Sequence, residues 1–532
     1  MPATLGAVAA GEVHSIDPAT LEPVASVATA SSAEVGAAVA EAQEAQARWR
    51  RSSSGERRAR LQSLGDVILA HAEEIATSVT SETGKPIVES FTTELYPALE
   101  SVHWLASNVD RVLRPERLPM TQLLLKHKRG YLVYEPLGVV AVISPWNFPF
   151  AIPFTQAVAA VAARNGVVLK PAEWTPLSGA WVERLFSEAG FPSGLVRVVQ
   201  GEGPTVGAEL ARTAGVARVI FTGSAEVGRA VAAAAAELLR PVTLELGGKD
   251  PMLVFEDCDP GRAVSAALWG SFANCGQVCS GVERIYVERP VFERFIAALA
   301  RRAESLRIGH GSDPATDLGP LIREEQRLRV EELVCDALEH GAQVASGGGR
   351  ARVSLPGWFH EPTVLVGERI GGRIQEEEVF GPVVTVEPFS GEQEAIALAN
   401  GSRFGLGASI WTRNTERTRR VGGRLEAGSV WTNDVAYSYY AAQAPWGGCK
   451  GSGFGRTHGR HGLYELSQVR FVDRDVGHVP VPWWFPYGDA ALDGFKGAMK
   501  LLYGAGARNR AGQAWNSRHG LAHLGRRYLG RA

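Results

Sequence analysis

A chain of 532 residues exceeds what one hydrophobic core ordinarily serves, so two large domains with appendages are expected. Apolar residues at 45% and charged residues at 21% are globular values, and a net charge of −2 gives no field for a nucleic-acid partner. The five cysteines (258, 275, 279, 335 and 449) are odd in number, widely spaced and free of C-x-x-C pairs. That pattern excludes a disulfide framework and a zinc site, so no metal is expected and the compartment is read as reducing, hence cytoplasmic.

No basic segment followed by an apolar core opens the chain, so no secretory signal is expected. Val139 to Ala163 runs 25 residues without a charge, long enough to span a bilayer. Pro145, Asn147, Pro149 and Pro153 interrupt it and would leave backbone groups unsatisfied in lipid. A buried strand, a loop and a helix are the better reading.

Residues 15–30 read as short strands with turns at Asp17-Pro18 and Glu22-Pro23. Helices follow over Ala33–Trp49, Arg57–Thr83 and about Ile87–Arg111, the second stopped by Gly84-Lys85-Pro86. Around Arg129-Gly130 β-prone segments suggest a hairpin. From Gly138 to Gly247, strand-like runs alternate with helical ones over Phe150–Arg164, Pro176–Ala189, Thr205–Thr213 and Ala225–Leu239. That alternation means βαβ units around a parallel sheet, whose ligands bind at the carboxyl ends of the strands. A second α/β run follows, and the Gly-rich stretch 444–456 reads as a loop.

The chemistry gathers around Cys279, in the run W-G-S-F-A-N-C-G-Q-V-C-S-G-V-E-R that starts at Trp269. A thiol between small residues can be approached closely and becomes a strong nucleophile when a base stands nearby. Glu245, in E-L-G-G-K 34 residues earlier, is the candidate base. Cys275 is read as a packing residue. For a nucleotide, Gly223 and Ser224 sit in F-T-G-S between a strand and a helix, where small residues let a phosphate approach a helix N-terminus. Their G-x-x-x-x-G spacing departs from the usual dinucleotide fingerprint and is weak alone, as is Gly201-Glu202-Gly203. Lys170-Pro171-Ala172-Glu173 strengthens it. Glu173 can accept both hydroxyls of an adenosine ribose while Lys170 donates to them, and its carboxylate would repel a 2′-phosphate, favouring NAD over NADP.

P-W-N-F-P at 145–149, F-T-G-S, E-L-G-G-K and G-Q-V-C, in this order, resemble the NAD(P)-dependent aldehyde dehydrogenase superfamily in its hydrolytic branch. The resemblance covers about residues 15–475. It implies an α/β fold of two Rossmann-like domains plus a β-hairpin oligomerisation arm. Residues 1–114 and 137–247 would form the NAD-binding domain and 248–455 the catalytic domain. Residues 115–136 and 463–476 would form the arm, and 477–532 a basic C-terminal extension. It further implies that Cys279 adds to an aldehyde, with Asn147 and the Cys279 N–H holding the oxyanion, each donor worth roughly 3 kcal/mol. A thioester would follow, cleaved by water that Glu245 activates. Lys170, Glu173, Gly203, Gly223 and Ser224 take cofactor roles by the same resemblance, as do Trp146 and Leu246. E-V-F-G-P matches a family pattern in which Glu378 holds the nicotinamide ribose and Phe380 contacts the nicotinamide; Gln326 is expected to face the cofactor too. After G-F-G-R this chain reads T-H-G-R-H-G where many relatives are acidic, which puts local loop contacts in question.

By position, Phe148, Ala151, Ile152 and Thr155 should line the substrate entrance, Val278 and Ser280 flank the thiol, and Tyr437, Tyr439, Tyr440 and Trp446 close the far side. The lining points to an uncharged aliphatic or aromatic aldehyde, with a semialdehyde acid as runner-up. Acyl transfer to coenzyme A and a non-catalytic structural protein are the readings from other classes; Glu245 opposes the first and the intact trio the second. A homodimer or homotetramer is implied by resemblance only. In the tail, eight Lys and Arg against two Asp make residues 477–532 net +6, leaving −8 on the rest. Leu492, Phe495, Met499 and Leu502 recur at helical spacing beside Lys496 and Lys500. A peripheral contact with an anionic membrane is one reading. A helix on the protein's own acidic body, or a loosely ordered tail, is preferred because the charge is not dense.

Overall fold

A computed structural model describes residues 11–477 and 481–529; Arg531, counted in the tail's charge, lies outside them. The strand Val139–Ile143 shows how the first α/β layer arises. Its five residues are all buried, between the parallel strands Gly166–Lys170 and Val216–Thr222. Side chains alternate across a strand. Val140 and Val142 therefore enter one core with Phe150, Phe154 and Leu185, while Val139, Ala141 and Ile143 enter another with Val35, Leu210 and Val231. A sheet covered on both faces needs continuous apolar strands, which is why these segments read as unbroken runs.

The sheet has six strands in the order Gly453–Phe454, Val242–Glu245, Val216–Thr222, Val139–Ile143, Gly166–Lys170, Val196–Val198. A second sheet of seven strands runs Gln343–Ser346, Thr363–Val366, Val383–Phe389, Val282–Glu288, Asp250–Val254, Gly407–Trp411, Ser429–Thr432. Only its first strand is antiparallel. Met252 and Val254 face one core, Leu253 the other. Both sheets lie in one compact unit, Met1–Leu113 with Pro136–Gln468.

The second unit, Arg114–Glu135 with Val469–Ala532, holds a three-stranded sheet of Ser467–Asp475, Lys128–Pro136 and Glu116–Leu118. It also holds helices Asp489–Tyr503, Ala507–Asn516 and Arg518–Tyr528. The tail is thus helical, not loosely ordered. Among the described residues no helix is long and apolar enough to cross a membrane. The charge-free stretch becomes the strand Val139–Ile143, a loop and the helix Ala151–Ala162.

Several expectations shift. The helix expected over 57–83 is two, Ser54–Ala70 and Ala72–Thr83, broken at His71, whose ring is held between Glu74 and Glu188. The helix after Pro86 contains a wide i→i+5 turn, Ser90–Leu95, and another such turn, Gly203–Gly207, precedes Ala208–Arg212. The hairpin exists, but Gly130 lies within its ladder, opposite Leu118, and residues 119–127 make the connection. A side chain at 130 would strike Met120 and Phe471, so packing, not a turn, requires that glycine. Residues 463–465, expected in the arm, belong to the helix Gly459–Glu465. The glycine-rich loop carries a short strand, Gly453–Phe454, antiparallel to Val242–Glu245.

One buried ion pair fixes the entry to the helix Ala151–Ala162. The Lys85 ammonium donates to Glu94 Oε1 at 2.5 Å and to the Asn147 carbonyl at 2.9 Å. Glu94 Oε2 accepts the Phe150 and Ala151 N–H groups at 3.1 and 2.6 Å, satisfying orphan donors at that helix start. Both side chains are fully buried. Removing one partner strands the other charge, so Lys85→Met should cost about 3–5 kcal/mol in urea unfolding. Arg289→Ala, at an exposed pair with Glu368, should leave the midpoint in place. Equal midpoints for the two variants would contradict this account.

Candidate active site

Parallel strands deliver their carboxyl ends to one edge of the first sheet. Asn147 follows Val139–Ile143, Lys170 ends Gly166–Lys170, Gly203 follows Val196–Val198, Gly223 follows Val216–Thr222 and Glu245 ends Val242–Glu245. Asn147 is positioned from both ends. Its carbonyl accepts from Lys85 and from Asn274 Nδ2 (2.9 Å), and its amide donates to the Gln277 carbonyl at 2.9 Å. One amide proton is so used, leaving the second free to donate.

Cys279 lies between the turn Ala273–Gly276 and the strand Val282–Glu288. Two glycines bring it there. A side chain on Gly248 would sit 2.0 Å from the Cys279 carbonyl, and one on Gly276 would sit 2.0 Å from the Gly381 carbonyl. E-L-G-G-K, the thiol loop and E-V-F-G-P therefore close on one another through glycine. Burial pushes the Cys279 thiol well above its ordinary range, reinforced by the carboxyls of Glu378, Glu245 and Asp250. Burial likewise raises Glu245 to about 7, against the pull of the Thr457 hydroxyl, the Arg456 charge and the Trp446 indole. Thr457 donates to Glu245 Oε1 and meets His458 Nδ1 at 3.1 Å. The departure T-H after G-F-G-R thus places a hydroxyl and a buried imidazole, lowered to about 4, behind this carboxyl. The sequence placed neither residue in the site.

The E-V-F-G-P loop hangs on a second buried pair. Lys249 donates to Glu283 at 2.5 Å, and Glu283 accepts the N–H groups of Val379 (3.0 Å) and Phe380 (3.1 Å). Phe380, at φ +53°, packs edge-on against Trp146, which leans on Trp174. Glu378 accepts the Gly248 N–H at 2.9 Å, and burial raises its carboxyl to about 8. Gln326 donates to the Val379 and Phe380 carbonyls at 3.1 and 2.8 Å, so both its amide protons anchor the loop.

At the other end, Lys170 donates to Glu173 at 3.0 Å, and the Glu173 side chain remains 27% exposed. Ser224 caps the helix Ala225–Ala236 by accepting the Val227 N–H, and Leu246 packs against Gly228 of that helix. Open space surrounds the missing side chain of Gly203. An accessible carboxylate beside a lysine, a helix start and a side-chain-free approach suit a nucleotide's ribose and phosphates.

A cavity opens beside Cys279. Phe148, Ile152, Val278, Ser280, Tyr439, Tyr440 and Trp446 line it, with Trp269 and Thr93. Ala151 does not reach it, Thr155 bonds the Tyr439 hydroxyl from behind, and Tyr437 is exposed to solvent. Glu89 enters the wall, a carboxyl that no motif singles out. It accepts the Asn274 N–H at 2.8 Å, and burial raises it to about 7. Among the described residues no Lys or Arg lines the cavity. Among the described residues no cluster suits a metal ion.

Comparison with known proteins matches residues 7–472 to the model described as "Aldehyde dehydrogenase family". A betaine aldehyde dehydrogenase of Cereibacter sphaeroides is 40% identical over 468 residues, 88% of this chain and 95% of that protein. A 2-hydroxymuconic semialdehyde dehydrogenase of Pseudomonas sp. is 38% identical over 477 residues, 88% of this chain and 97% of the other. The NAD+ complex of a Bacillus cereus aldehyde dehydrogenase superposes with a TM-score of 0.83 at 36% identity, covering 88% and 94% of the two chains.

A like charge removed from beside a thiol favours its thiolate. The pH profile of Cys279 alkylation by iodoacetamide, followed by peptide mass spectrometry, should therefore move to lower pH in Glu378→Gln. An unmoved profile would show that this carboxyl does not govern the thiol.

Proposed function

The chain belongs to the aldehyde dehydrogenase family, and on that premise we propose that Cys279, Asn147 and Glu245 oxidise an aldehyde to its carboxylic acid with NAD. The carrying observation is the half-buried thiol in an apolar cavity with a tuned carboxyl beside it. At neutral pH the resting group is the thiol, since burial and three neighbouring carboxyls oppose the thiolate. Glu245, with an affinity near pH 7, is a matched base: it takes the thiol proton as sulfur adds to the carbonyl. Its own charge is lost in that step, relieving repulsion on the developing adduct. The free amide proton of Asn147 and the Cys279 N–H stabilise the oxyanion.

NAD, when bound, would supply the acceptor for the hydride whose loss from carbon turns the Cys279 thiohemiacetal into a thioester. Glu173 and Lys170 would hold its adenosine ribose, with Gly203, Gly223 and Ser224 near the phosphates. Trp146, Leu246, Glu378 and Phe380 would border the nicotinamide side, with Gln326 acting through the loop it anchors. The Glu173 carboxylate disfavours a 2′-phosphate, hence NADP. After its first proton has passed to solvent, Glu245 takes a proton from the water that attacks the thioester and returns it to the departing Cys279 sulfur, which separates this reading from transfer to coenzyme A. The three-stranded arm is assigned to a homodimer or homotetramer interface. The C-terminal segment is assigned to peripheral membrane contact.

The wall supports an uncharged aliphatic or aromatic aldehyde. Glu89 and the absence of Lys and Arg from the cavity weigh against a semialdehyde acid, whose carboxylate would meet a like charge. The same Glu89 among aromatic rings favours a second reading, a quaternary-ammonium aldehyde, which such rings attract. NADH formation at 340 nm on hexanal, benzaldehyde, betaine aldehyde and succinate semialdehyde separates them. The expected order of kcat/KM is hexanal and benzaldehyde first and succinate semialdehyde last, with Cys279→Ser inactive on all. Preference for betaine aldehyde that falls in Glu89→Gln would establish the second reading. Preference for succinate semialdehyde would overturn both.

A further inference from the structure

The helix Asp489–Tyr503 is packed inside out. Its small residues, Ala491, Gly494 and Gly497, are the buried ones. They meet the helix Arg518–Tyr528 so closely that a side chain on Gly494 would lie 2.4 Å from the Gly520 carbonyl, and one on Gly520 would lie 2.3 Å from the Gly494 nitrogen. Phe495 is half-buried, but other large apolar residues face water: Leu492 is 53% exposed, Met499 64% and Tyr503 80%. Spaced by seven and four, these three form one line along the helix. Leu502 lies to one side of the line, Lys496 and Lys500 to the other.

The same surface chemistry precedes the helix. Trp484, Phe485 and Tyr487 are exposed, and Arg527 pins their segment by donating to the Trp484 and Pro486 carbonyls. A water-soluble bundle buries its large residues and exposes polar ones. The reverse arrangement, in a segment of net +6, needs an apolar and anionic counterpart. Trp and Tyr beside Lys and Arg is the composition of a segment at the membrane–water boundary. With 15, 10 and 11 residues, the three helices are too short to span a bilayer. They can only lie on one.

We propose that the Leu492–Met499–Tyr503 face docks on an anionic bilayer, the apolar line entering the headgroup boundary and Lys496 and Lys500 meeting lipid phosphates. This deepens the peripheral contact assigned above and is independent of which aldehyde is oxidised, so binding and turnover are scored apart. The test is co-sedimentation of the full chain with phosphatidylcholine vesicles, with and without phosphatidylserine, alongside hexanal turnover. Wild type should sediment with the anionic vesicles only and be released by salt. Met499→Asp/Tyr503→Asp should lose that binding. Lys496→Glu/Lys500→Glu should weaken it at least about tenfold. Both variants should turn over like wild type. Wild type that ignores both vesicles, binds both equally, or binds as well after Met499→Asp/Tyr503→Asp would overturn the proposal. So would self-association abolished by that variant in a chain that ignores vesicles, which would give the face to a second copy.

Discussion

A carboxylate can leave water only if its oxygens find donors, and two buried lysine–glutamate pairs turn that requirement into the frame of the site. Lys85 uses one oxygen of Glu94, and the other oxygen takes two N–H groups at the start of the helix Ala151–Ala162. Lys85 also reaches the Asn147 carbonyl. Lys249 and Glu283 repeat the arrangement for the E-V-F-G-P loop, with Val379 and Phe380 as the backbone donors. Each pair holds one wall. The first aims the Asn147 amide, and the second sets Glu378 and Phe380 against E-L-G-G-K. Both pairs hold the site's geometry through buried hydrogen bonds.

Within that frame the electrostatics are hostile to the nucleophile. Glu378, Glu245 and Asp250 all oppose a negative sulfur. Free thiolate is therefore suppressed, which spares an accessible cysteine from indiscriminate reaction. In the proposed reaction, reactivity comes from proton transfer to a nearby base. Glu245 is balanced for this by burial on one side and by Thr457 and Arg456 on the other.

The fold was legible because both sheets are buried on two faces, so their strands appear as apolar runs separated by helices. Cys279, Glu245 and Asn147 were legible as motifs, with glycines marking where loops must touch, as at Gly248 and Gly276. What escaped depends on distant pairing. Glu89, Glu94 and Glu283 look like ordinary surface acids in sequence, and only the folded chain shows Glu94 and Glu283 buried and Glu89 in the cavity wall. Thr457 and His458 registered as a departure from the family pattern without a consequence. Gln326 is expected to face the cofactor, and what the sequence did not show is that its Nε2 donates to two loop carbonyls. The hairpin around Arg129-Gly130 was legible but the reason for its glycine was not, since a glycine required by packing carries the same letter as one required by φ. In the tail, helical spacing was visible, but the face that points outward is decided by Gly494 against Gly520.

The central claim is that one sulfur carries the acyl group and one carboxyl frees it. Glu245→Gln keeps the side chain's size and removes the base. Mixed with NAD and a reactive aldehyde, it should release a single burst of NADH, no more than one per chain, and then stall. Digestion and mass spectrometry should find the acyl mass on the Cys279 peptide. Sustained turnover at the wild-type rate, or an acyl group on Cys275 or no cysteine at all, would contradict the account.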